Sequence, residues 1–180
     1  MQLNVSPSSE EMSAAAATQI ISELRKNPRL LLCAATGSTP TRTYELLAEE
    51  FQRAPDLFRE LRVLKLDDWG GLAMDDPGTS EMYVQQHLIR PLTILADRYM
   101  GFESDPADPA KECQRIETWL SQNGPIDLCV LGLGVNGHLA MNEPASALQT
   151  RCHVAKLSSG MRVSALAFKS GYLSFDEYTP

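Results

Sequence analysis

The sequence predicts an α/β protein built on a mainly parallel sheet, and three observations carry that prediction. Three short, mostly apolar runs punctuate the chain, at residues 30–35, 61–66 and 126–131. Stretches with helical spacing separate them, and each run gives way to a loop rich in Gly, Asp, Ser or Thr. A strand covered on both faces needs little polar alternation, so apolar runs alternating with helices indicate a parallel sheet packed between helical layers.

Each element has its own signal. Ser8 and Glu11 have capping-box spacing, and Met12, Ala15, Ala16, Ile20 and Leu24 recur at helical intervals, which predicts a first helix ending near Asn27 and Pro28. The unbroken run Leu30, Leu31, Leu32, Cys33, Ala34, Ala35 follows as the first strand. Helical stretches at 40–53, 79–89 and 109–122 and strands at 61–66 and 126–131 complete the order helix, strand, helix, strand, helix, helix, strand. Asp105, Pro106, Asp108 and Pro109 read as a turn before a helix, not as a domain linker. A further strand candidate spans 152–157.

With 180 residues, of which 43% are hydrophobic, the chain can fill one core, so a single domain spanning 1–180 is expected. A net charge of −7 and the lack of a basic cluster oppose a nucleic-acid surface. No run approaches the roughly 20 apolar residues that cross a bilayer, and the first residues lack the charged start of a secretory signal. Cys33, Cys113, Cys129 and Cys152 show no C-x-x-C spacing, which suits reduced thiols in the cytoplasm.

In an open α/β sheet, ligands gather at the carboxyl ends of the strands, so the three loops there are the candidate site. The first holds Thr36, Gly37, Ser38 and Thr39 ahead of a helix. Free N–H groups at a helix start, the positive end of its dipole and nearby hydroxyls make an anion cradle, although a plain N-cap fits the same letters. The second loop opens with Asp67 and Asp68, placed to act as a base, to hold sugar hydroxyls or simply to cap a turn. This pair offers too few ligands for a metal. The third runs from Gly132 through Asn136, Gly137 and His138 to Asn142, Glu143 and Pro144. Its start matches the dinucleotide fingerprint letter for letter, but Pro144 interrupts the long helix that the fingerprint needs, which opposes a nicotinamide or flavin cofactor. His138, with Glu143 five residues on, is instead placed for proton transfer.

The segments at 35–40, 66–69 and 132–145 resemble, in order and spacing, the glucosamine-6-phosphate deaminase family and its relatives the 6-phosphogluconolactonases. The likeness extends over roughly residues 10–165, and Asn136, Gly137 and His138 look closest to the galactosamine-6-phosphate deaminase/isomerase branch. The resemblance implies a three-layer, Rossmann-like α/β/α sandwich that deaminates an amino-sugar 6-phosphate to a ketose 6-phosphate. It implies no metal or organic cofactor, a small sugar phosphate as partner, and room for a homo-oligomer.

By that resemblance, Thr36, Gly37, Ser38 and Thr39 hold the phosphate and Asp68 and Gly137 contact the substrate. Asp67 moves a proton from C2 to C1, while Asn136, His138 and Glu143 open the sugar ring. Two departures stand out. Asn136 occupies a position where many of the deaminases have Asp. The C-terminal third of the family chain has no counterpart: residues 170–180 do not resemble it, and the family's phosphate-binding arginine finds only Arg162 nearby. A 6-phosphogluconolactonase and a binding module without turnover are the competing readings. Asn142, Glu143 and Pro144 favour the deaminase side over the lactonase.

Overall fold

The computed structural model describes residues 3–134, 136–147 and 149–155. Arg162, the segment 170–180 and the last two positions of the strand candidate at 152–157 lie outside them, and residues 152–155 form no strand. Helix α1 (Ser9–Lys26) starts where the capping box places it, with the Ser8 hydroxyl accepting from the Glu11 N–H at 3.2 Å. Glu10 and Glu11 in its first turn and Arg25 and Lys26 in its last complement the helix dipole. Its buried face is Ser13, Ala17, Ile20 and Leu24: Ile20 and Leu24 are buried as expected, whereas Ser13 and Ala17 take the place of Met12, Ala15 and Ala16, and Met12 is exposed. In an alanine-rich helix, a small shift of face costs little apolar area.

Strand β1 (Leu31–Ala34) is buried throughout and is the centre of the sheet. It pairs in parallel with β2 (Arg62–Lys65) on one side and β4 (Leu128–Cys129) on the other. Beyond β2 lies β3 (Tyr99–Met100), so the order is β3-β2-β1-β4, parallel at every junction. The sequence signals three of these strands. β3 escapes notice because it is two residues long and belongs to no apolar run, and β4 is shorter than the run at 126–131 predicts.

Alternate residues of β1 face different helical layers, as a period of two requires. Leu32 and Ala34 pack with Ile20 and Leu24 of α1, Tyr44 and Leu47 of α2 (Ser38–Arg53), and Val84 of α3 (Ser80–Val84). Leu31 and Cys33 meet Ile116, Trp119 and Leu120 of α4 (Pro109–Asn123) on the opposite face. The result is three layers. Leu32 has no exposed surface, and truncating such a side chain to Ala costs about 2–5 kcal/mol. α3 runs on into a wide turn at Gln85–Ile89 in place of the single regular helix expected at 79–89. Among the described residues, no helix is long and apolar enough to cross a membrane.

Ladder bonds continue past the ends of β2 and β4, from the Leu66 N–H to the Ala34 carbonyl at 3.0 Å and from the Val130 N–H to the Cys33 carbonyl at 2.9 Å. These bonds register the carboxyl ends of three neighbouring strands. They thereby fix where the three polar loops begin.

Candidate active site

The loop after β1 turns at Gly37, whose φ of +104° only glycine adopts without strain. Its carbonyl accepts from the Thr41 hydroxyl at 3.0 Å and the Tyr83 hydroxyl at 2.8 Å, while Thr36 Oγ1 lies 3.2 Å from Ser80 Oγ. Helix α3 therefore fastens this loop from the side. Ser38 and Thr39 are exposed at the start of α2. Among the described residues, no side chain caps that helix, and its first turn carries no acid. A 16-residue helix with an uncapped N-terminus and nearby hydroxyls presents donors and a positive dipole end to an anion.

Asp67 and Asp68, adjacent in sequence, have opposite environments. Asp68 is turned inward: its Oδ1 accepts from the N–H groups of Trp69 and Ser80, and its Oδ2 from the Glu81 N–H and from Lys65 Nζ. Both oxygens thus accept from the protein. Lys65 has no exposed surface and also donates to Glu81 Oε2 and the Phe102 carbonyl, each at 2.7 Å. Burial raises the Glu81 carboxyl, but hydrogen bonds from Lys65 and Tyr99 outweigh it and leave its pKa below the usual value. A lysine at the end of an apolar run, followed by two acids, was the sequence signal for this buried ion cluster; Glu81, Tyr99 and Phe102 gave none.

Asp67, by contrast, makes no side-chain hydrogen bond among the described residues, and it is only partly buried. Burial and the neighbouring Asp68 charge push its pKa up to about 6, against a smaller opposing pull from Lys65. A carboxylate in that condition can both take and return a proton near neutral pH.

The loop after β4 folds back on itself. Leu139 bridges to Leu133 and Asn142, the Gly134 N–H donates to the His138 carbonyl at 2.9 Å, and Gly137, at φ +89°, donates its N–H to the Gly134 carbonyl at 2.9 Å. Gly137 thus spends its donor within the loop. The His138 ring lies against Gly134 so closely that a Cβ there would fall inside it. The Asn136 amide joins the other two polar residues: its Nδ2 donates to Glu143 Oε2 at 2.8 Å, and its Oδ1 accepts from the His138 N–H at 3.2 Å. The same oxygen lies 2.7 Å from His138 Nδ1. An amide oxygen can only accept, so Nδ1 carries the proton and Nε2 is left as the basic nitrogen. The structure brings Asn136, His138 and Glu143 into one chain of contacts. Among the described residues, no group of three or more His, Cys, Asp or Glu is placed to hold a metal ion.

Residues 7–155 match the family described as glucosamine-6-phosphate isomerases/6-phosphogluconolactonase. A protein of Escherichia coli (strain K12) described as a candidate deaminase, AgaI, is 38% identical over 82% of this chain and 59% of its own. A glucosamine-6-phosphate deaminase of Geobacillus sp. (strain WCH70) is 35% identical over 93% of this chain and 67% of its own. Among solved structures, a monomeric glucosamine-6-phosphate deaminase superposes with a TM-score of 0.86 at 29% identity, covering 91% of this chain and 68% of that one. The 6-phosphogluconolactonase from Trypanosoma brucei shares the fold at a TM-score of 0.68, 23% identity and coverage of 79% of this chain and 63% of that one. The chain spans about three fifths to two thirds of the length of these proteins. With the three loops in place at the strand ends and the match running across most of its length, the chain belongs to the glucosamine-6-phosphate isomerase/6-phosphogluconolactonase family.

Proposed function

We propose that the protein is an amino-sugar-6-phosphate deaminase/isomerase that converts galactosamine- or glucosamine-6-phosphate and water into a ketose 6-phosphate and ammonia. The observation that carries this reading is Asp67: a half-buried carboxylate at a strand end, without a hydrogen-bonding partner among the described residues, its pKa pushed up to about 6. In the open-chain sugar, Asp67 removes the proton from C2 and returns it to C1 through an enediol-type intermediate. Water then adds at C2 and ammonia leaves. The base must be strong enough to accept the proton and weak enough to give it back, and a carboxylate raised toward neutrality meets both demands.

The other loops supply the remaining tasks. The phosphate sits on the α2 N-terminus among Thr36, Gly37, Ser38 and Thr39, which is chemistry that neutral donors and a helix dipole perform without a metal. His138 Nε2 takes the C1 hydroxyl proton and passes it to the ring oxygen, while Asn136 and Glu143 hold the tautomer that leaves Nε2 free. Asp68, whose oxygens accept from the protein, and Gly137, whose N–H donates to the Gly134 carbonyl, hold their loops in place. No organic cofactor is needed.

The test is ammonia release from glucosamine- and galactosamine-6-phosphate, measured side by side on the purified chain. Release from either supports the proposal, and the faster substrate names the sugar. Stabilisation by both sugars without ammonia makes the chain a binding module, and hydrolysis of a 6-phosphogluconolactone without deamination makes it a lactonase.

A further inference from the structure

Cys33 of β1 and Cys129 of β4 are register partners across a parallel junction. Facing residues of neighbouring parallel strands project from the same side of a sheet, and their strands run about 4.8 Å apart. That spacing falls inside the roughly 4.4–6.8 Å window of Cα separations that a disulfide spans. We infer that this cysteine pair is a redox modification site, closing to a reversible disulfide when the protein meets a peroxide. The inference goes beyond the deaminase reading and does not depend on it.

Burial divides the work between the two thiols. Cys33 is 2% exposed, packed among Leu31, Leu64 and Ile116, whereas Cys129 is exposed on the edge strand. Peroxide therefore reaches Cys129 first. The adjacent Cys33 thiol lowers the Cys129 pKa, outweighing burial, while Cys129 and burial raise Cys33; Cys129 Sγ also lies 3.8 Å from the Val130 carbonyl. The exposed sulfur is thus the more nucleophilic one at neutral pH.

The chemistry balances with hydrogen peroxide as oxidant. The Cys129 sulfur attacks one peroxide oxygen, the O–O bond breaks, and a sulfenic acid forms as water leaves. The Cys33 sulfur then attacks the Cys129 sulfur, the S–O bond breaks, and the departing hydroxide takes the Cys33 proton as a second water. Two thiols lose two electrons and one peroxide gains them. The Cβ atoms of a disulfide lie roughly 3.8 Å apart, a separation compatible with strands spaced about 4.8 Å. The ends of β1 and β4 carry the Thr36 and Gly132 loops, and the Asp67 charge, just past the end of neighbouring β2, raises both thiols.

The experiment treats the reduced full chain with hydrogen peroxide, alkylates it in denaturant, digests it without reductant and maps the cysteines by mass spectrometry. The expected result is a linked peptide pair containing Cys33 and Cys129 and loss of alkylation at both, reversed by dithiothreitol. In Cys129→Ser, the same peroxide dose leaves Cys33 alkylatable. Recovery of Cys129 as a sulfinic acid beside alkylated Cys33, a link from Cys33 to Cys113 or Cys152, or no change at either residue would each overturn the inference.

Discussion

Asn136 and Glu143 lie 2.8 Å apart through an amide nitrogen and a carboxylate oxygen, an arrangement that an Asp at 136 could not make. Two ionised carboxylates at that distance repel, and one would stay protonated until the pH rose. Asn136→Asp is therefore expected to lose turnover of the cyclic sugar as the pH rises through the range in which the second carboxylate ionises. A variant profile that superimposes on that of the parent would show that position 136 does not couple Glu143 to His138.

Ring opening and proton transfer should separate kinetically. His138→Gln or Glu143→Gln is expected to slow the cyclic sugar by about 10²-fold or more, the usual contribution of general acid–base catalysis, and an open-chain substrate far less. Single-turnover rates with the two forms make the comparison. Equal losses would mean a collapsed loop and a structural role for His138.

Asp67→Asn should behave oppositely in stability and activity. Because burial raises the folded carboxyl to about 6, ionising it works against the fold. Its contribution is fully present below the ordinary carboxylate pKa and is lost as the pH rises through about 6. The amide variant should therefore melt above the parent at pH 8 and alongside it at pH 3.5, while turnover falls by about 10²–10⁴-fold. Melting curves at the two pH values check the first part, and retained turnover would remove Asp67 from the mechanism.

Lys65→Met strands two carboxylates, Asp68 and Glu81, in the interior. Leaving a buried charge without its partner costs about 3–5 kcal/mol, which denaturant titration should register at neutral pH. Adding Asp68→Asn to that variant should recover part of the loss. If the single variant were as stable as the parent, the cluster would contribute little to holding the loop after β2.

Tyr83→Phe removes the hydroxyl that grips the Gly37 carbonyl, a bond worth about 0.5–1.5 kcal/mol. The expected outcome is severalfold weaker calorimetric binding of the sugar phosphate, with little change in the rate at saturation. An unchanged affinity would mean that Thr41 alone holds the turn.

How much of this was legible in the sequence depended on whether the signal was local. The apolar runs announced β1 and β2 because burial on both faces demands them, and announced β4 although that edge strand is partly exposed; the residues just beyond them marked the three loops. Strand β3 exists only because Tyr99 and Met100 pair with Val63 and Leu64, which no property of Tyr99 or Met100 predicts. Asp67 and Asp68 looked equivalent as letters. Only the packing of α3 against β2 distinguishes them, by bringing Ser80, Glu81 and Tyr83 against loops some forty residues or about a dozen residues away in the chain. The Asn136 bridge was implicit in its spacing to His138 and Glu143, but its direction of donation emerged only with the fold.

The contact between Gly134 and the His138 ring bears on how glycine patterns arise. In a dinucleotide-binding turn, a glycine is kept small so that a pyrophosphate can approach the backbone. Here the space is taken by an imidazole from four residues downstream, so the chain fills with its own side chain a hollow that another lineage leaves for a cofactor. Identical letters can thus record two unrelated steric histories, and the occupant of the missing methyl's position tells them apart.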